Sequence, residues 1–137
     1  MKVLVIYSSK FSYKTANKNI PDIEDIDCEE SYNNCILAFI QIEESDEEKD
    51  TKSREKKLVN HIKWTARKNN TKTVVLHSFA HLSESKATLE FTRSVFDDAQ
   101  KRLQNAGFIA EQTPFGYFLD LKIEAPGFSL ARIWATL

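Results

Sequence analysis

Three glycines, three prolines and two cysteines are few for 137 residues, and each scarcity closes off a class of chemistry. Gly107, Gly116 and Gly127 cannot build a Gly-x-Gly-x-x-Gly dinucleotide turn or a phosphate-cradling loop. No Gly-x-Ser-x-Gly elbow presents a serine nucleophile. Cys28 and Cys35 form neither a disulfide framework nor a Cys-x-x-Cys pair, and neither sits in an electropositive turn that would activate a thiolate. Cys35 opens an apolar run and reads as a buried thiol. Free thiols suit a reducing compartment, so the expected location is cytoplasmic. His77 and His81 are four apart, which on a strand separates side chains by about 13 Å. No metal site and no cofactor are expected. The opening apolar run, Val3 to Tyr7, is too short for a signal segment or a membrane span.

Charge and apolar residues are both present in ordinary amounts, 28% and 42%. The length favours one domain over residues 1–137, burying roughly two-thirds of its unfolded surface. The apolar end of the chain fits a piece of a longer protein as well as a free-standing one. The net charge of −1 conceals a split. Asp22 to Asp50 holds nearly all of the first half's acids, and a basic stretch follows. Lys52, Lys56, Lys57, Lys63 and Arg67 are candidates for phosphate contact with a nucleic acid. The competing reading is a solvated helix face beside an acidic loop.

Periodicity predicts a strand over Lys2–Tyr7, a turn at Ser8–Lys10, and a hairpin partner over Phe11–Thr15. Asn17–Asn34 reads as a loop, Asn34–Glu43 as a strand and Glu44–Asp50 as an acidic connector. Leu58, Val59, Ile62 and Ala66 at 3.6-residue spacing predict a helix over Thr51–Asn69. A strand over Lys72–Phe79 follows. A second helix spans Ser85–Ala106, with Leu89, Thr92, Phe96, Ala99 and Leu103 as its buried stripe and Gly107 as terminator. Phe108–Gln112 and Gly116–Ile123 read as the last strands, and Phe128–Leu137 has a helical tint. The fold class is therefore α/β of the α+β kind, a mixed sheet with helices packed on it.

Two stretches are left unexplained by packing patterns. "FAHLS", Phe79 to Ser83, puts a histidine at the C-terminal end of a strand, where mixed sheets place their sites. A histidine satisfying a buried backbone group is the plainer alternative. "PFGYF", Pro114 to Phe118, gathers three aromatics around one glycine. Strand alternation sends Tyr117 and Phe118 to opposite faces, so at least one belongs to the core. An exposed ring there could stack on a base.

Taken together, "SFAHLSES" and "TPFGYFLDLKIEAPG" resemble the N-terminal editing domain of archaeal threonyl-tRNA synthetases. "MKVLVIYS" with Tyr13, and "AFIQIE", resemble that family's first strands, so the likeness spans the chain. The resemblance implies a D-aminoacyl-tRNA deacylase-like fold, a homodimer, and hydrolysis of serine mischarged onto threonine tRNA. Its partner would be the acceptor end of tRNA(Thr) carrying serine. It implies that His81 and the backbones of Ala80 and Ile42 position the ester. Glu43, Phe115, Tyr117, Phe118 and Leu119 would line the pocket, with Phe115 close to the terminal adenosine. The family's lysine falls at Leu119, its second tyrosine at Phe118 and a glutamate at Arg132, so three polar positions tied to substrate handling have changed character. Leucine cannot donate a hydrogen bond. Two further readings therefore stand beside editing: a D-aminoacyl-tRNA deacylase, and a module that has lost catalysis and only binds tRNA or dimerises.

Overall fold

The computed structural model describes residues 1–137. Its six strands form one sheet, and two helices cover one face. Strand β1, Lys2–Lys18, runs antiparallel to β2, Glu29–Gln41. Helix α1, Thr51–Lys68, leads to β3, Thr73–Ser78, which lies parallel to β2. Helix α2, Leu89–Asn105, leads to β4, Ile109–Gln112, parallel to β3. β5, Tyr117–Glu124, and β6, Arg132–Thr136, both pair antiparallel with β1. They share its length: β6 takes residues 2–6 and β5 takes residues 10–18. The observed class is the mixed sheet with packed helices that the sequence predicts.

Four local expectations are overturned, the first being the loop over Asn17–Asn34, whose ends belong to β1 and to β2 from Glu29 onward. The predicted turn at Ser8–Lys10 does not exist, because β1 passes straight through it. Ser8 is fully buried opposite Cys35, and the Ser9 hydroxyl donates to the Glu124 carbonyl at 3.2 Å. The tail is a short 3₁₀ turn, Ser129–Ala131, followed by a strand rather than a helix, since β1 offers a free edge to Ile133 and Trp134. Helix α2 begins at Leu89, capped by the Thr88 hydroxyl on the Phe91 N–H, not at Ser85. Residues 85–88 are held extended by the Ala87 N–H bond to the Ile42 carbonyl, 3.0 Å. Leu89 is accordingly more than half exposed, and Val95 takes a buried place in the stripe.

The helix-covered face is apolar throughout. Val3, Val5, Ile36, Ala38, Ile40, Val74 and Leu76 from the strands meet Leu58, Val59, Ile62, Phe96 and Leu103 from the helices. The other face carries Phe11, Tyr13, Leu37, Phe39 and Val75. Val3 and Val5 face the helices, yet Phe11 and Tyr13, of the same parity, face away. The alternation of β1 thus changes phase between Tyr7 and Phe11, beside Asn34 of β2, whose φ is +50°. Asn tolerates that conformation better than a branched residue would.

Gly116 explains the aromatic turn. Its φ is +89°, and a Cβ there would lie 3.1 Å from Ile23 Cγ1. Its carbonyl accepts the N–H groups of Asn19 and Ile20, at 2.7 and 3.2 Å. Tyr117 secures the same loop from the other side. Its hydroxyl donates to the Glu24 carbonyl at 2.6 Å and accepts the Ile26 N–H at 2.8 Å. The acidic segment 19–28 is thereby pinned to the start of β5.

Candidate active site

Parallel strands β2 and β3 end side by side at Gln41 and Ser78. The chain beyond β3 is tied to the end of β2 at two places, by Phe79 N–H to the Ile40 carbonyl and Ala87 N–H to the Ile42 carbonyl, both 3.0 Å. Between those ties Gln41 acts as a clamp. Its buried amide accepts from the N–H groups of Leu82 and Ser83, both 2.7 Å, and donates to the carbonyls of Ser83 and Ser85, both 2.8 Å. All four capacities of the side chain are used. Sequence reasoning passed over Gln41, although a single amide closing an otherwise apolar strand was its signal.

Two small cavities open against this loop. The larger, about 140 Å³, is lined by His77, Ala80, His81, Tyr117, Phe118 and Leu119, among others. The smaller, about 70 Å³, is lined by Ile42, Ala87, Leu89, Thr92 and Phe115, among others. Ser78, Ala80 and Lys86 line both, so the two hollows meet at that wall. Neither the N–H nor the C=O of Ala80 bonds to another group of the chain. Two successive peptide groups, those on either side of Ala80, therefore each have an unengaged polar group at a residue that lines both cavities. A larger hollow of about 470 Å³ lies between the helices, but Lys52, Glu55, Asp98, Lys101, Arg102 and Asn105 give it no apolar wall.

The expected residues divide. Ala80, His81, Tyr117, Phe118 and Leu119 meet in one cavity, and Ile42, Ala80 and Phe115 in the other. Glu43 lines neither. Its carboxylate accepts the Met1 ammonium at 2.7 Å and the Ser83 hydroxyl at 2.7 Å, and so braces the loop from behind. Burial pushes the Glu43 carboxyl up, but the ammonium, the Ser83 hydroxyl and Lys2 outweigh it and hold it below its ordinary value. Arg132 lines neither cavity; it pairs with Ile6, and its guanidinium donates to the Pro126 carbonyl at 2.7 Å. Lys52, Lys56, Lys57, Lys63 and Arg67 are strung along α1, with about 22 Å between the first and last. Arg67 lies with Asn70, Thr71 and Lys72, at the opposite end of β3 from Ser78.

His81 apart, no side chain of the larger cavity is a free general base. Burial lowers the His77 imidazole to about 4, so it is neutral near pH 7, and its Nδ1 is 2.9 Å from the Thr113 hydroxyl. His81 is exposed, with its ring edge-on to Phe79 at 5.1 Å. The Tyr117 hydroxyl is engaged by the 19–28 segment. No carboxylate lines either hollow. No three of the chain's His, Cys, Asp or Glu side chains converge on a set that could hold a metal ion. No helix is long and apolar enough to cross a membrane.

Gln41→Leu should lower the unfolding free energy by about 2 kcal/mol, since it strands four main-chain groups of a half-exposed loop. Urea denaturation measures it. An unchanged midpoint would mean that the loop holds its shape without the clamp.

A mixed sheet with small pockets at the ends of its parallel strands defines a class of α+β domain rather than one protein or one chemistry. The sequence relationships narrow it. The family model described as the Archaea-specific editing domain of threonyl-tRNA synthetase matches residues 1–137, and the chain belongs to that family. It is 29% identical to a threonine–tRNA ligase of Thermococcus onnurineus over 140 residues, covering 100% of this chain and 22% of that protein. It is 30% identical over 142 residues to the Pyrococcus horikoshii enzyme of the same name, again covering 100% of this chain and 22% of that protein. The chain thus spans less than a quarter of the length of these relatives. Among solved structures, the c-Myc DNA Unwinding Element Binding Protein superposes with a TM-score of 0.70 at 12% identity. That match covers 100% of this chain and 99% of the other, a likeness of fold alone.

Proposed function

We propose that this chain hydrolyses serine from mischarged Ser-tRNA(Thr), with the terminal 2′-hydroxyl of the RNA assisting. The observation that carries the reading is the unengaged N–H and C=O of Ala80, on the wall shared by two small cavities. An aminoacyl ester is already reactive, so oriented dipoles and a close pocket can supply much of the rate. Water adds to the ester carbonyl, the bond to the ribose 3′ oxygen breaks, that oxygen takes a proton, and free serine leaves. Ala80 N–H would polarise the carbonyl. His81, Phe118 and Leu119 would shape the chamber for the amino acid, and Phe115 would meet the terminal adenosine in the smaller hollow. About 140 Å³ suits a small side chain better than the larger ligands that fill ordinary pockets. A pocket for double-sieve editing needs that selectivity, because one methyl is worth only about 1–3 kcal/mol in a single binding step. The same reading makes the chain a cytoplasmic homodimer, which sedimentation would check.

Deacylation of Ser-tRNA(Thr) beside Thr-tRNA(Thr) tests the reading, with faster release of serine expected. Preference for a D-aminoacyl ester would instead assign a D-aminoacyl-tRNA deacylase. Binding of tRNA with no release of serine would assign a module without catalysis.

A further inference from the structure

The two cavities together have one cationic side chain in their walls, Lys86, which lines both. It forms no ion pair, since the chain's six pairs involve Met1, Lys2, Lys18, Arg54 and Arg102 on the basic side. A second free cation stands close by. Arg93, exposed on α2, lays its guanidinium carbon 5.2 Å from the centroid of Phe115, a wall of the smaller hollow. It too is absent from every ion pair, although Glu90 lies one helical turn before it. A guanidinium seated on a ring keeps its N–H edge for an oxyanion. Glu84 and Glu90 are nearby in sequence but line neither cavity. Lys86 and Arg93 thus stand at hollows whose other lining residues carry no carboxylate, while Glu47 is held by the Thr88 N–H and hydroxyl at the start of α2. By contrast, the α1 lysines have acids among them: Lys52 shares its hollow with Glu55 and Asp98.

We propose that Lys86 and Arg93 form a phosphate-binding rim that holds successive phosphodiesters of a single-stranded RNA 3′ end as its terminal nucleoside enters between Phe115 and Ala80. This moves the nucleic-acid contact from α1 to the loop after β3 and the first turns of α2. It rests on the proposed deacylation for the identity of the RNA, but not for the rim itself. Each cation that neutralises a single-strand phosphate adds about 0.7 to the dependence of log affinity on log salt.

Two measurements test it, on the 137-residue chain and its Lys86→Met, Arg93→Met and doubly substituted forms. In seryl-tRNA hydrolysis each single substitution should raise KM severalfold and hold kcat, with the slope of log KM against log salt falling by about 0.7. In direct binding of a short single-stranded RNA ending in adenosine, followed by anisotropy, the slope should fall by the same amount. If the native chain binds the RNA through these two residues yet releases no serine, the rim stands and the deacylation reading falls. If the doubly substituted form binds RNA with unchanged affinity and slope, the rim is overturned. It is overturned equally if Lys56→Met with Lys57→Met removes the salt dependence instead.

Discussion

Replacing the terminal 2′-hydroxyl of the seryl-tRNA by hydrogen should slow hydrolysis by about 10²–10⁴-fold, the range that a positioned acid or base supplies. The expectation follows from an inventory of the pocket. His77 is buried, neutral near pH 7 and turned to Thr113 through Nδ1. Tyr117 has its hydroxyl committed to Glu24 and Ile26. No carboxylate lines either hollow, and Leu119 brings only methyl groups. His81 alone remains, exposed beside Phe79. A hydroxyl carried by the substrate and adjacent to the ester would supply what the walls lack. Single-turnover release of serine from ribose- and 2′-deoxyribose-terminated tRNA measures the difference. Equal rates would transfer the proton-handling role to the protein, and His81→Ala would then have to abolish turnover.

Asp46→Ala should lower the unfolding free energy by about 3–5 kcal/mol, the usual consequence of leaving a buried charge without its partner. Asp46 and Arg54 are both almost wholly enclosed. Oδ1 accepts from Arg54 Nη1 at 2.6 Å, and Oδ2 accepts the Glu43 N–H at 2.8 Å and lies 3.0 Å from the Met1 ammonium. Truncation would leave Arg54 without a carboxylate and the ammonium with that of Glu43 alone, and Arg54 Nε already lacks a partner. Burial by itself would raise the Asp46 carboxyl; the Glu43 N–H, the ammonium and Arg54 together hold it below its ordinary value. A depressed carboxyl contributes stability that is present above its unfolded pKa, near 4, and is lost as pH falls through its folded value. His77, held at about 4 instead of 6.5, contributes stability that is present above pH 6.5 and is lost between 6.5 and 4. Urea midpoints followed from pH 8 downward should therefore decline first below about pH 6.5 and again below about pH 4. Asp46→Ala should remove part of the second decline. An unshifted midpoint in the variant would mean that water reaches the cluster.

The helices and the apolar strands were legible because each carries a strong local signal. Leu58, Val59, Ile62 and Ala66 are all buried as their spacing predicts. "FAHLS" and "PFGYF" do converge, and the shared wall at Ala80 places them on adjoining hollows. The tail was misread because "SLARIW" has helical spacing, whereas what decides its state is the unfilled edge of β1, which lies far away in the chain. Ser8–Lys10 looked like a turn because small polar residues punctuate chains. Here they mark a change of phase inside one long strand, which only the pairing with both β2 and β5 imposes. The roles of Glu43 and Lys86 were equally out of reach. Nothing local distinguishes an acid that meets the chain's own first amine, or a lysine beside a cavity, from their solvated neighbours.

All four bonds of the Gln41 amide end on main-chain atoms of residues 82–85. The template is thus blind to side-chain identity at those positions. Outside Ser83 and Ser85, whose hydroxyls bond Glu43 and the Glu44 N–H, loop shape and loop chemistry are decoupled, and an exposed position such as Glu84 can be exchanged while the path of the chain beside the pocket stays the same.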